Sequence, residues 1–333
     1  MVQMVWMDVF SNENYHLVLV FLYSFFATLV ASRYFIRQLY KRGFVVEDKY
    51  KRDRPKIASM GGIAIFAGLM VSLALSSLLM IHNNLISSLF VFYFIVTVYA
   101  MYGVVDDLFA FKKRYDKILV LLVLSLPIGA LVVSPSELLL FNHSLYLGAF
   151  LPYVVAPVYV MVVANLVNLH SGFNGLSSGL GLILLFAIGL KSFMVHGTEN
   201  LLFLLPILGA TLAFYPNTLF PARALEGNIG QFMIGAAVGG LLIINQLEIF
   251  GIIILIPHVV NFIMDTVVLG VLKVPDVKYG SVRRDGSVIA PPSMRFKSLK
   301  FLLTHYIRLS ERKATFALYI PTILFSAVGV MFF

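Results

Sequence analysis

Apolar segments of about 20 residues recur along most of the chain, each long enough to cross a hydrocarbon core of roughly 30 Å. Ten stand out, near residues 16–35, 60–81, 86–105, 118–134, 146–164, 176–193, 201–217, 229–247, 249–271 and 314–333. Only 12% of the 333 residues are charged and 60% are hydrophobic, against about 25% charged in ordinary soluble domains. A transmembrane β-barrel would show alternating segments of about ten residues, and none dominate. The expected fold is therefore all-α: one integral membrane domain over residues 1–333, with about ten transmembrane helices and no linker dividing it.

The cations fix an expected orientation. With loops numbered by the segment they follow, every Lys and Arg except Lys191 falls on an odd-numbered loop. Loop 1 carries those from Arg33 to Lys56, and loop 3 carries Lys112, Lys113, Arg114 and Lys117. Loop 7 carries Arg223, and loop 9 those from Lys273 to Lys313. The positive-inside rule puts odd loops in the cytoplasm and both termini outside. The net charge of +9 then forms a cationic cytoplasmic face, suited to anionic lipid headgroups or a polyphosphate. Nucleic acid is not expected as a partner, since no soluble module exists to read it. Cysteine is absent, which excludes disulfides and thiolate metal sites. The first residues lack a positively charged leader pattern, so the first apolar run is expected to be a retained span, with Trp6 as an interfacial anchor.

Four segments on the cationic face are rich in Asp, Asn and Gly. They are DKYKRDRPKIASMGGIAI (48–65), GVVDD (103–107), NLVNLHSGFNGLSSG (165–179) and FPARALEGNIGQ (220–231). Any one alone reads as a solvated loop; four on one face point to a shared site. Asp106 and Asp107 are adjacent like charges, and removing both protons is costly unless a cation compensates. Lys112, Lys113 and Arg114 could supply that charge at a solvated helix end. Mg2+ is the sharper candidate, since it takes oxygen ligands and typically uses one or two carboxylates plus substrate phosphates. Asn165 and Asn168 are spaced i, i+3 and would share a helix face. Their carboxamides can bind a hard cation through oxygen or donate to phosphate through nitrogen. Gly172, Gly175 and Gly179 let backbone N–H groups approach an anion closely. Gly227, Asn228 and Gly230 open the eighth helix on the same face. His258, Asn261 and Asp265 form a stripe on the ninth span, where an ionisable group is a functional candidate by default. A secondary transporter would instead place polar groups near the midplane of repeated halves, and no repeat is evident.

Together, Met60–Gly62, GVVDD, NLVNLHSGFNGLSSG and PARALEGN resemble, in order and spacing, the polyprenyl-phosphate N-acetylhexosamine-1-phosphate transferases. The third motif is similar to the archaeal and eukaryotic dolichyl-phosphate branch: bacterial members usually have aspartate where this chain has Ser171 and Asn174. The resemblance implies attack of a polyprenyl (dolichyl) phosphate on a UDP-N-acetylhexosamine, most simply UDP-GlcNAc, releasing UMP at the cytoplasmic face of the cell membrane. It implies Mg2+ or Mn2+ as cofactor, contact with membrane lipids and compatibility with a homodimer. The alternative within the family is an undecaprenyl-phosphate enzyme of cell-wall or surface polysaccharide assembly. Residue by residue, it gives Asp106, Asp107 and Lys117 catalytic roles and makes Asp107, Asn168 and Asn228 the metal ligands. Asn165 and Asn168 would bind substrate, Gly172 and Asn174 would cradle uracil, and Leu225 stands where some relatives have a stacking ring. Lys278, Arg283 and Arg284 would contact the diphosphate or sugar. Many relatives have aspartate where this chain has Asn228, which leaves more of the charge balance to Asp106 and Asp107.

Overall fold

In a computed structural model, the described residues are 14–79, 85–109, 114–132, 137–140 and 143–333. Trp6, Lys112, Lys113 and the side chain of Lys117 lie outside that description. The chain is mostly helical. Helix α1 spans Asn14–Lys41, α2 Gly62–Leu79, α3 Ile86–Phe109 and α4 Arg114–Ser125. Then come α5 (Ala156–Leu169), α6 (Leu176–His196), α7 (Leu201–Thr218) and α8 (Gly227–Ile244). Helices α9 (Glu248–Ile254), α10 (Ile256–Thr266), α11 (Leu299–Tyr306) and α12 (Glu311–Phe332) complete the set. Three antiparallel hairpins interrupt them: β1 (Val45–Glu47) with β2 (Lys56–Ala58), β3 (Glu137–Leu140) with β4 (His143–Tyr146), and β5 (Ser281–Val282) with β6 (Val288–Ile289).

Seven helices among the described residues are long and apolar enough to cross a membrane, or eight if α9 and α10 form one broken span. That is fewer than the ten expected. The second and fourth expected spans are shorter apolar helices, Gly62–Ser77 and Ile118–Leu131. Hydropathy alone could not separate a full span from a short apolar helix packed among others. The α9–α10 pair bends by 64°. Pro257 near the start of α10 is the physical reason, because it cannot donate back to the preceding turn. Two other boundaries shift with consequences: α3 continues to Phe109 and α5 to Leu169. The Asp pair and both asparagines are thus held on helices instead of in loops.

Helix α8 is the axis of the bundle and is buried along nearly all its length. Without a hydrophobic force between helices in lipid, close approach through small residues drives their packing. A Cβ on Gly235 would lie 2.7 Å from the Ala164 Cα, and one on Gly239 3.0 Å from the Val160 Cα. This GxxxG seam sets α5 antiparallel against α8. On another side a Cβ on Gly103 would come within 2.5 Å of Ile229 backbone atoms, so α3 touches the first turn of α8. Helix α1 packs on α2 and α7, and α12 packs on α6. The four polar segments all emerge at the end of the bundle where α8 begins.

Candidate active site

The MGG and PARALEGN segments are joined by backbone. Leu225 N–H donates to the Ala58 carbonyl, Gly61 N–H to the Leu225 carbonyl and Gly62 N–H to the Glu226 carbonyl, all at 2.8–2.9 Å. A Cβ on Gly62 would sit 2.5 Å from Gly230 N, so the two glycines let the strands and helix starts nest. Leu225 therefore holds the frame through its main chain, with its side chain half-buried. Gly227 has φ +69°, and a Cβ there would press on Asp107 Oδ2 at 2.7 Å. A left-handed, Cβ-free residue is what lets α8 start directly against that carboxylate.

The Asp pair meets α8 at this point. The Asn228 N–H donates to Asp107 Oδ1 at 3.1 Å, and the Ile229 N–H to Asp107 Oδ2 at 3.3 Å. Helix starts leave such N–H groups unpaired within the helix, and their dipole favours a carboxylate. The Asn228 side chain donates to Asp106 Oδ2 at 3.2 Å, and Asp106 is buried. Two carboxylates and a carboxamide from segments more than 120 residues apart thus share one place. Asn168 sits at the same level: Ala164 opposes Gly235, so four residues on, the antiparallel register brings Asn168 beside the first turns of α8. Its carboxamide has no hydrogen-bond partner among the described residues. Asn165 differs, since its amide donates to the Met161 carbonyl of its own helix at 2.9 Å.

Among the described residues no group of three or more His, Cys, Asp or Glu converges as a metal cage. Carboxylate and carboxamide oxygens, the donor types of Asp106, Asp107, Asn228 and Asn168, are nonetheless the kind that suits a hard divalent ion completed by phosphate and water, as Mg2+ usually is.

The glycine-rich segment after α5 is built differently. Gly172 has φ +108°, and the Lys300 Nζ lies where its Cβ would be, at 2.1 Å. Lys300 also donates to the Ser171 carbonyl at 3.2 Å. Burial, and then the nearby Lys297 charge, lowers the Lys300 ammonium to about 8. Asn174 is locked into a buried network. Its N–H donates to Glu311 Oε1 and its amide to Asp48 Oδ2, while its carbonyl accepts from Thr315. Lys51 bridges Asp48, at 3.0 Å, and Glu311, with Phe220 under its ammonium at 3.9 Å.

Of the residues singled out in loop 9, Lys278 and Arg284 are exposed. Arg283 folds back on the β5–β6 hairpin, its N–H donating to the Ser287 carbonyl. The cation that touches the Gly172 turn is Lys300, which sequence reasoning missed. Ten cations between Lys273 and Lys313 gave no local signal to choose among them. The Asp48–Lys51–Glu311 network was missed too, because its members are far apart in sequence. In the ninth-span stripe, Asn261 donates to the Leu169 carbonyl and accepts from Leu299 N–H. His258 packs edge-on against His170, with ring centroids 4.6 Å apart.

Comparison with known proteins decides the family. Residues 89–246 match the model of glycosyl transferase family 4. A Saccharolobus solfataricus protein is 30% identical over 74% of this chain and 77% of its own length. The chain belongs to glycosyl transferase family 4. The Saccharolobus relative carries the provisional name UDP-N-acetylglucosamine–dolichyl-phosphate N-acetylglucosaminephosphotransferase. A provisionally named glycosyltransferase of Methanocaldococcus jannaschii is 25% identical over 97% of both chains. A phospho-N-acetylmuramoyl-pentapeptide-transferase of a Hydrogenobaculum species is 28% identical over 73% of this chain and 75% of its own. This family 4 protein is thus a membrane sugar-phosphate transferase by kinship, and the Asp pair, Asn168 and Asn228 fall inside the matched region.

Proposed function

We propose that the protein transfers GlcNAc-1-phosphate from UDP-GlcNAc to a dolichyl-type polyprenyl phosphate, at the cytoplasmic face and with Mg2+. This would be the first membrane step of lipid-linked glycan assembly. The observation that carries the reading is the meeting of Asp106, Asp107 and Asn228 at the first turn of α8. The names of the archaeal relatives support the substrates, and the segregation of cations supports the orientation.

The lipid tail must stay in the bilayer and the nucleotide in water, so the reactants can meet only at the membrane boundary. A phosphate monoester has a second pKa near 6 and arrives largely ionised. An oxygen of the lipid phosphate attacks the β-phosphorus of the UDP-sugar. The bond to the oxygen bridging the two phosphorus atoms breaks, and UMP leaves with that electron pair. Little base help is needed; alignment and charge neutralisation dominate, as in phosphoryl transfer generally.

Asp106, Asp107, Asn168 and Asn228 would hold the divalent ion, which supplies charge neutralisation between phosphates when bound. Asp107 is oriented for this by the two α8 N–H groups. The Lys300 ammonium, packed on Gly172, would pair with the diphosphate. Asn174 would face the nucleotide from a position fixed by Asp48 and Glu311. The test incubates purified protein with dolichyl phosphate, Mg2+ and labelled UDP-GlcNAc, then with other UDP-sugars. Formation of labelled lipid with UMP release is expected; no UMP from any UDP-sugar would sink the reading.

A further inference from the structure

Helix α1 is longer than the hydrocarbon it crosses. Its 28 residues extend about 42 Å at 1.5 Å per residue, against roughly 30 Å of core. Counting about 20 residues from the polar Asn14–His16 end puts the far edge of the hydrocarbon between Arg33 and Arg37. Here the exposed side of the helix changes character. Phe26 and Val30 are 57% and 71% exposed and apolar. One turn on, the same side presents Arg33, Arg37 and Lys41, spaced i, i+4, i+8 and all exposed. Such spacing stacks the three on one stripe, about 6 Å apart along the axis.

The opposite side of α1 is occupied. Val20, Ser24, Thr28 and Ser32 are buried there, with Ser24 donating to the Pro206 carbonyl of α7. Among the described residues no helix covers the cationic stripe. None of its three members forms a hydrogen bond or ion pair among the described residues. With Val30, Tyr34 and Gln38 they frame an open hollow of about 350 Å³ on the surface of α1 itself. Tyr34 is 59% exposed, as befits an aromatic ring at headgroup level. An exposed arginine at the hydrocarbon edge snorkels to headgroup level, where anionic lipid phosphates are the counter-charge at hand. A single amphiphile meets both surfaces at once, its phosphate among the cations and its chain on the Val30 side.

We infer that the Arg33–Arg37–Lys41 stripe of α1 binds an anionic phospholipid, its headgroup phosphate between the cations and an acyl chain against Val30 and Phe26. This site is separate from the Asp107 centre and does not depend on the transfer reaction.

The test is native mass spectrometry of the full chain, exchanged into mixed phosphatidylglycerol and phosphatidylcholine. The wild-type protein is expected to retain phosphatidylglycerol selectively. The triple variant R33Q/R37Q/K41Q should lose that retention by on the order of tenfold to a hundredfold, at about 1 kcal/mol per cation. Arg52→Gln, a loop cation off the stripe, should keep it. The triple variant's melting temperature in phosphatidylcholine shows whether it folds. If it does not, Arg37→Gln alone is read by the same spectrum, with a several-fold loss expected. Equal retention of the two lipids by wild type, or full retention by the folded variant, overturns the inference. Displacement of phosphatidylglycerol by equimolar dolichyl phosphate also overturns it, by assigning the stripe to the acceptor lipid.

Discussion

Two acidic centres sit at the same end of the bundle and are handled in opposite ways. Asp48 and Glu311 are buried and share Lys51, while the Asn174 N–H donates to the other Glu311 oxygen and the Asn174 side-chain amide shares Asp48 Oδ2 with Lys51. Asp107 has no ion pair among the described residues and is met by two backbone N–H groups of α8. A helix start supplies only about half a positive charge, so Asp107 keeps much of its own. The first centre is closed by a full cation and can do little except hold segments together. The second keeps negative charge where a divalent ion and two phosphorylated substrates could use it. Position and residue type alone do not separate structural from reactive carboxylates; the identity of the counter-charge does.

Substituting one acid in each centre tests that contrast most severely. Asp107→Asn should lower kcat by on the order of 10²–10³, the scale of losing a charge aimed at the reacting phosphate. Stability should fall by no more than about 2 kcal/mol, the upper range of a carboxylate at a helix start. UMP release and thermal unfolding in the same detergent provide the two readouts. A variant that unfolds but transfers normally per folded molecule would assign Asp107 to the frame.

Lys51→Met should reverse the pattern. It leaves Asp48 and Glu311 buried without their cation, which costs roughly 3–5 kcal/mol. Melting temperature should drop sharply while kcat per folded molecule changes much less, with any loss appearing in KM for the nucleotide through Asn174. If kcat falls as far as in Asp107→Asn with stability intact, the two centres are alike and the comparison fails.

How much of this was legible depends on whether the cause was local. GVVDD and PARALEGN could be read as parts of one site because their glycines and acids follow one another in the chain. The reason for Gly103 could not, since it lies in Ile229, which presses on it from α8. The i, i+3 spacing of Asn165 and Asn168 was legible in the sequence, but Asn165's bond to Met161 depends on a rotamer no sequence specifies. Membrane character and a mostly helical fold followed from composition, whereas the three small hairpins and the number of full spans did not. Pro257 was a visible signal for the broken α9–α10 pair and was read through by hydropathy. Lys300 is set apart from nine neighbouring cations only by tertiary burial against Gly172.

That burial gives a prediction of intermediate size. With its ammonium lowered to about 8, Lys300 is charged below pH 8 in folded and unfolded chains alike. Between about 8 and the ordinary lysine value near 10.4, the unfolded chain binds the proton and the folded one does not. Stability from this group therefore rises with pH across that window. Activity should move the other way, falling by up to about tenfold per pH unit as the diphosphate loses its partner. Lys300→Arg should flatten the alkaline fall, because guanidinium stays charged. A pH–rate profile unchanged in that variant would remove Lys300 from the site.

The smallest expected effect comes from Asn228→Asp, which tunes the open centre without dismantling it. The change replaces a donor to Asp106 with a third carboxylate beside the pair. Without a divalent ion the like charges repel and a part-buried hydrogen bond is lost, costing about 1–3 kcal/mol. With Mg2+ the extra charge strengthens the site, since affinity for hard cations follows ligand charge. The Mg2+ concentration for half-maximal UMP release should fall several-fold, and chelation should lower the variant's melting temperature more than the wild type's. These two shifts have one cause and must appear together. A variant that loses stability equally with and without Mg2+ would show that Asn228 serves only to hold Asp106.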